Sequence, residues 1–161
     1  MELSGRLLGF KHFLFTGVAF AIALGWLATM LVNNTIGLTV ETALGIVLTD
    51  YYLGALLLTV VSITAIGLCI LLGNRLFIRW VSNPLDRKNI AHSTILFSLF
   101  VMVVVLPEIG GIIDSAAHNL SHTYRNPADV LLMISLPVIR LTLLPAFYYL
   151  VTRRQFVRAD A

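Results

Sequence analysis

The stretch 93–114, STILFSLFVMVVVLPEIGGIID, decides the fold of this chain. Between its two ends it carries one charged side chain, Glu108. A helix needs about 20 apolar residues to cross about 30 Å of hydrocarbon. Because backbone groups in lipid have to bond within the spanning element, a continuous apolar run of this length predicts a transmembrane helix, whereas barrel strands are shorter and alternate.

Three further apolar runs have a similar length, so the predicted spans are 12–32, 51–73, 93–114 and 128–151. The 161 residues are 58% hydrophobic and 12% charged, against about 45–50% and about 25% in soluble domains. The sequence therefore predicts an all-α integral membrane protein, one domain over 1–161, built as a four-transmembrane-helix up-and-down bundle. The start resembles a secretory signal, but its apolar run continues to Val32, which predicts an uncleaved first span.

Basic residues flank the spans unevenly. Nine lie on one predicted side and one, Arg125, on the other, and this bias predicts that both termini are cytoplasmic in a cell inner membrane. The nine are Arg6, Lys11, Arg75, Arg79, Arg87, Lys88, Arg153, Arg154 and Arg158. Their position at helix flanks explains the net charge of +3 without nucleic acid as a partner. Four tyrosines are predicted in interfacial aromatic belts: Tyr51, Tyr52, Tyr148 and Tyr149.

An acidic and a basic residue lie inside the last two predicted spans. Arg140 is near the middle of the fourth span, and Glu108 is in the outer part of the third. A charge at such depth is expensive and normally has a partner. Side chains lean toward the N-terminus of their own helix, so in antiparallel helices these two lean toward one another. The sequence predicts an intramembrane ion pair, either fixing helix register or serving proton or ion movement.

Helix-breaking residues surround this pair. They are Pro107, Gly110 and Gly111 in the third span, and Pro137 and Pro145 in the fourth. Each proline removes a helix hydrogen bond, and interrupted helices at depth are a way in which transporters form their sites. The pattern predicts helix interruptions beside Glu108 and Arg140.

Small residues recur every four positions in the first span, at Gly17, Ala21, Gly25 and Thr29. In lipid such a stripe lets two helices approach closely, so it predicts a helix-packing face. The partner helix belongs either to this chain or to another.

Histidines offer two weaker hypotheses. Asp114, His118 and His122 are spaced i, i+4, i+8, so on a helix they share one face and form a possible site for a divalent metal. His12 and His92 both begin spans that start inside, and across the bundle core they are a possible pair of haem b ligands. Polar interfacial residues are the alternative interpretation in both cases.

No phosphate loop, dinucleotide fingerprint, CxxC pair, HExxH or nucleophile elbow occurs, and the loops are short, so an enzyme acting alone is not predicted. We expect a small polytopic subunit that packs into and stabilises a larger membrane protein complex, or one that self-associates. The alternative is a small transporter or ion- or proton-conducting oligomer using Glu108 and Arg140. The third hypothesis is a haem- or metal-binding electron-transfer protein.

Overall fold

The computed structural model describes residues 2–24, 51–81, 85–118 and 126–156, and these are almost entirely helical. Helix α1 (Glu2–His12) runs directly into a π-helical segment (Phe13–Leu24), and we call the two together the first span. Helices α2 (Tyr51–Trp80), α3 (Arg87–Ala117) and α4 (Pro127–Phe156) follow. Each of these four helical segments is long and apolar enough to cross a membrane. This confirms the prediction of a helical protein with four candidate spans.

The starts of α3 and α4 are fixed by capping side chains. The carboxylate of Asp86 accepts from the backbone N–H of Asn89 at 2.7 Å. The Asn126 carbonyl oxygen accepts from the backbone N–H of Asp129 at 3.1 Å, and the Asp129 carboxylate accepts from the N–H of Asn126 at 3.2 Å. These side chains satisfy N–H groups that the first helical turn leaves without partners. The sequence Asn126-Pro127-Ala128-Asp129 is typical of a helix start, with an N-cap residue, a first-turn proline and a first-turn carboxylate, and α4 begins there.

The first span begins earlier than predicted. The predicted boundary at residue 12 treated Lys11 as a flanking residue, but α1 already begins at Glu2. Lys11 is exposed and His12, beside it in sequence, is fully buried, so the two lie on opposite faces of one helix. The predicted end of this span, residues 25–32, lies outside the described residues.

The lateral order of the helices also differs from the simplest up-and-down ring. The first span packs against α2 and α3, and α4 packs against the same two helices. The first span and α3 are therefore neighbours, whereas a simple up-and-down order of the four spans would place them diagonally. The first span pairs with α2, and α3 pairs with α4. These two pairs pack side by side, which brings α2 against α4.

The predicted helix interruptions are not observed. Helix α3 stays helical through Pro107, Gly110 and Gly111, and α4 stays helical through Pro137 and Pro145. A proline removes one hydrogen bond from the ladder, and membrane helices tolerate this when the surrounding turns hold the backbone.

The core divides into two apolar clusters. The larger one contains Phe97, Val101, Leu144 and Tyr148, with Phe13, Ala21, Ile70 and Val105. The smaller one lies at the end of the bundle where Arg79 is in the last turn of α2 and α3 begins at Arg87, and it contains Phe77, Leu85, Ile90 and Phe156. We call this end the basic end.

Glycine allows the first span to touch α3. A Cβ atom built on Gly9 would lie 2.8 Å from the backbone oxygen of Asn89, and one on Gly17 would lie 3.0 Å from the rings of Phe13 and Phe97. A distance below 3.0 Å to a backbone atom is too short for a real contact, so a side chain at residue 9 would separate the helices.

We predict that Gly9→Ala lowers the free energy of unfolding by about 1–3 kcal/mol, the usual cost of overpacking. The matched control is Gly111→Ala, because a Cβ atom there meets no atom of the described residues within 4 Å. The measurement is thermal unfolding in a nonionic detergent, followed by the reaction of Cys69 with a thiol-reactive dye. Equal melting temperatures for the two variants would contradict the close contact at Gly9.

Candidate functional site

Six polar side chains from all four helices meet toward the basic end of the bundle and have no exposed surface. We call them the buried polar cluster: His12, Thr16, Asn74, Ser93, Tyr148 and Thr152. A buried polar group without a hydrogen bond is costly, so the arrangement is stable only when its members bond to one another.

His12 lies at the centre of the buried polar cluster. Its Nε2 is 2.9 Å from the Asn74 side-chain oxygen, and its Nδ1 is 2.8 Å from the Ser93 hydroxyl and 3.0 Å from the Tyr148 hydroxyl. The Asn74 side-chain N–H donates to Thr152 at 3.1 Å, so the Asn74 oxygen is the acceptor that faces His12. This pattern assigns the hydrogen to Nε2 and leaves Nδ1 to accept from a hydroxyl group.

Thr16 and Tyr148 connect the first span to α4 across the centre of the bundle. The Thr16 hydroxyl donates to the His12 backbone carbonyl at 2.6 Å and lies 2.8 Å from the Tyr148 hydroxyl. The Tyr148 hydroxyl is also 2.8 Å from that of Ser93. The carbonyl that Thr16 engages belongs to the last residue before the π-helical segment, where a side-chain bond competes with the main-chain ladder.

Aromatic rings enclose the imidazole. Phe77 and Phe156 meet the ring of His12 nearly at right angles, with centroids 5.0 and 5.3 Å away. On the side away from the basic end, the ring of Tyr148 stacks on Phe97 at a centroid distance of 4.4 Å. The buried polar cluster is therefore closed by apolar surface on several sides.

The buried polar cluster was not predicted from the sequence. The prediction that Tyr148 lies in an aromatic belt is wrong, because its side chain has no exposed surface. A signal was present: His12 and Thr16, and likewise Tyr148 and Thr152, are four residues apart and so share a helix face. What the sequence lacks is the information that these two faces, with Asn74 and Ser93, meet at one level.

The structure brings Glu108 and Arg140 together on the other side of the Phe97 ring, farther from the basic end. A guanidinium Nη of Arg140 donates to a carboxylate oxygen of Glu108. The Arg140 side chain is 20% exposed and that of Glu108 is 43% exposed, so the pair sits at the edge of the bundle with the arginine on its inner side. The Arg140 Nε is buried and has no acceptor among the described residues.

Arg140 also lines a cavity of about 200 Å³ between the helices. Most of the lining is apolar, and Ser62 and Arg140 are its polar members among the described residues. The other lining residues are Ala21, Ile22, Ile66, Phe97, Phe100, Val101, Val104, Val105 and Leu144. An apolar cavity with one convergent charged group is typical of a small-molecule site.

Phe97 links the cavity to the buried polar cluster, because its ring lines the cavity and stacks on Tyr148. The cavity, Phe97 and the buried polar cluster thus follow one another along the bundle interior, and the Glu108–Arg140 pair lies at the edge of the bundle beside the cavity. The arrangement could hold a small molecule and present it to a single cationic side chain.

The histidines predicted as haem ligands have other surroundings. Both ring nitrogens of His12 bond to protein side chains, and His92 is half-buried against Gly9 of α1. Haem ligation at His12 would first require breaking its bond to Asn74 or those to Ser93 and Tyr148. The geometry gives the haem hypothesis no support.

The predicted metal and packing residues are placed only in part. His118 Nδ1 lies 3.1 Å from the Asp114 carboxylate at the end of α3, where both side chains are mostly exposed; His122 lies outside the described residues. Within the described ranges no group of three potential ligands occurs. Gly17 and Ala21 are buried at helix contacts, as a packing face requires, and Gly25 and Thr29 lie outside the described residues.

The protein belongs to the class of four-helix bundles whose helices are long and apolar enough to cross a membrane. Its interior contains a buried polar cluster and a mostly apolar cavity. Comparison with known proteins adds no family: no family model, curated protein or solved structure matches the chain.

We predict that Tyr148→Phe lowers the free energy of unfolding by about 1–2 kcal/mol, because Thr16, Ser93 and His12 lose a common partner while the stacking on Phe97 is kept. Tyr149→Phe, at the half-buried neighbouring position, is the matched control and should unfold like the wild type. Unfolding is measured by titration with SDS in mixed micelles, followed by far-UV circular dichroism. The assigned network would be wrong if both variants had wild-type stability.

Proposed function

We propose that the protein is a small transporter that binds its solute in the cavity beside Arg140. The observation that carries the proposal is an arginine on the wall of an otherwise apolar cavity: Arg140 lines the space of about 200 Å³, and its side chain is 20% exposed. The Nε of this side chain is buried, so a solute would reach the guanidinium at its Nη groups. A bound solute with an acceptor atom would accept a hydrogen bond there.

The pairing with Glu108 supports movement of a solute as well as binding. Glu108 holds Arg140 through one contact and is itself 43% exposed, so it can leave without disturbing the core. The pair keeps the guanidinium neutralised in the absence of solute, and intramembrane ionisable residues commonly mark substrate or ion pathways. Exchange of Glu108 for a solute on Arg140 is a transport step that needs no change in the buried polar cluster.

The membrane placement belongs to the same proposal. The basic end of the bundle faces the cytoplasm of a cell inner membrane, in agreement with the distribution of Lys and Arg. The buried polar cluster then lies in the cytoplasmic half of the bundle. Phe97 and Tyr148 close the cavity toward that side, and their stacked rings are the barrier that a solute would have to pass.

We expect Val101→Phe to abolish transport, because Val101 is buried on the cavity wall and a ring there fills the space. Loss of about 1.4 kcal/mol of binding energy already means about a tenfold loss of affinity. The assay is uptake of radiolabelled benzenesulfonate, benzyltrimethylammonium and glycerol by proteoliposomes that contain the purified protein, compared with protein-free liposomes.

The matched control is Val103→Phe, the same substitution two residues away on α3, where the side chain is 70% exposed. Its uptake should equal that of the wild type. Protein-dependent uptake of none of the three probes, or wild-type uptake by Val101→Phe, would overturn the transporter proposal.

A second candidate function is that of a small subunit in a larger membrane complex. The observation in its favour is an open polar and small-residue surface on α3, where Glu108 is 43% exposed and an added Cβ atom on Gly111, on the same helix face, meets no described residue within 4 Å. A half-exposed carboxylate on an apolar helix is satisfied well by a polar group on a neighbouring protein, and glycine lets that neighbour approach closely.

For the subunit function we expect a mild-detergent purification of the tagged chain to recover one or more larger membrane proteins in fixed stoichiometry. Gly111→Leu should remove them, because a large side chain keeps the neighbour away, whereas Leu99→Ile on the exposed face of the same helix should not. Recovery of this chain alone, as a monomer or a symmetric oligomer, would eliminate the subunit candidate.

A further inference from the structure

The unused hydrogen-bonding capacity of Arg140 identifies the chemical class of the solute. A guanidinium group only donates, and one of its Nη groups already bonds to Glu108. The Nε is buried, so a solute would reach the guanidinium at its Nη groups, where Glu108 also bonds. The two Nη groups of an arginine match two oxygens of a carboxylate, sulfonate or phosphonate in a planar, two-bond arrangement. The group that fits is therefore an acidic oxygen acceptor.

The rest of the cavity specifies the other part of the molecule. Beside Arg140 and Ser62 the lining is aliphatic and aromatic, including Phe97 and Phe100. The volume is about 200 Å³, and an apolar cavity of about 150 Å³ is known to hold benzene. The space suits one small ring, or an aliphatic body of similar size, next to the acidic group.

We propose that the cavity binds a small organic anion, with an apolar body among the helices and its acidic group on the Nη groups of Arg140. This inference rests on the transporter proposal and narrows it. It also assigns Glu108 a role: its carboxylate competes with the solute for the same guanidinium, so it positions Arg140 in the empty site and weakens anion binding.

The test is equilibrium binding to the purified protein in dodecyl maltoside, measured by titration calorimetry with three probes of nearly equal size. Benzenesulfonate is a permanent anion, methyl phenyl sulfone is its neutral isostere, and benzyltrimethylammonium is a cation. We expect benzenesulfonate to bind about 10- to 100-fold more tightly than the sulfone, the range for a hydrogen bond to a charged group. The cation should not bind.

Two variants separate a binding role from a structural one. Glu108→Gln should tighten benzenesulfonate binding, because the competing carboxylate is gone; loss of a purely structural ion pair would weaken or not change it. Arg140→Gln alone would leave the Glu108 carboxylate without its partner and would destabilise the fold. The double variant Glu108→Gln, Arg140→Gln removes both charges, so no unpaired charge is left. In it the preference for benzenesulfonate over the sulfone should disappear.

The outcomes distinguish the two proposals. If the sulfone or the cation binds as tightly as benzenesulfonate, and Val101→Phe removes that binding, the inference of an anion is wrong and the cavity is still a solute site. If Glu108→Gln weakens benzenesulfonate binding, the competition is wrong. If no probe binds and none is taken up by proteoliposomes, the anion site and the transporter proposal both fail.

Discussion

The imidazole of His12 is the point at which the four helices are joined. Its two nitrogens contact Asn74 of α2, Ser93 of α3 and Tyr148 of α4, and all these side chains are buried. In an apolar medium no water replaces a lost hydrogen bond, so each member depends on the others to be satisfied. The axial register of the first span against the other three helices follows from this constraint.

The contacts on both sides of the buried polar cluster, along the bundle axis, are compatible with this axial register of the helices. Toward the basic end, Phe77 and Phe156 pack on the imidazole, and Gly9 allows α1 to approach the backbone of α3. On the other side Phe97 stacks on Tyr148 and forms a wall of the cavity. The cavity and the ion pair beside it therefore lie at a level that the buried polar cluster determines.

The two polar regions have different chemistry, which suggests different roles. In the buried polar cluster neutral hydrogen bonds occupy both His12 nitrogens and the side-chain amide of Asn74. At Glu108 and Arg140 the groups are charged, partly exposed, and leave one donor unused. A closed network of neutral hydrogen bonds favours one packing of the helices. The charged pair lies beside the cavity, and it is there that the transporter proposal places the solute.

The sequence by itself determined the number and kind of the spans and the start of α4, because apolar runs and capping residues are local features. It also contained both charges of the ion pair, since a charged residue inside an apolar run is visible without a structure. From the sequence, His12 and Tyr148 were predicted at the membrane interface, because each lies next to a residue typical of the interface, Lys11 and Tyr149. Only the tertiary structure showed that α2 packs on α4, that the first span is a neighbour of α3, and that six separate polar residues meet. The physical reason is that lipid-exposed and buried faces are equally apolar, so the sequence of a membrane helix does not state which helix it will contact.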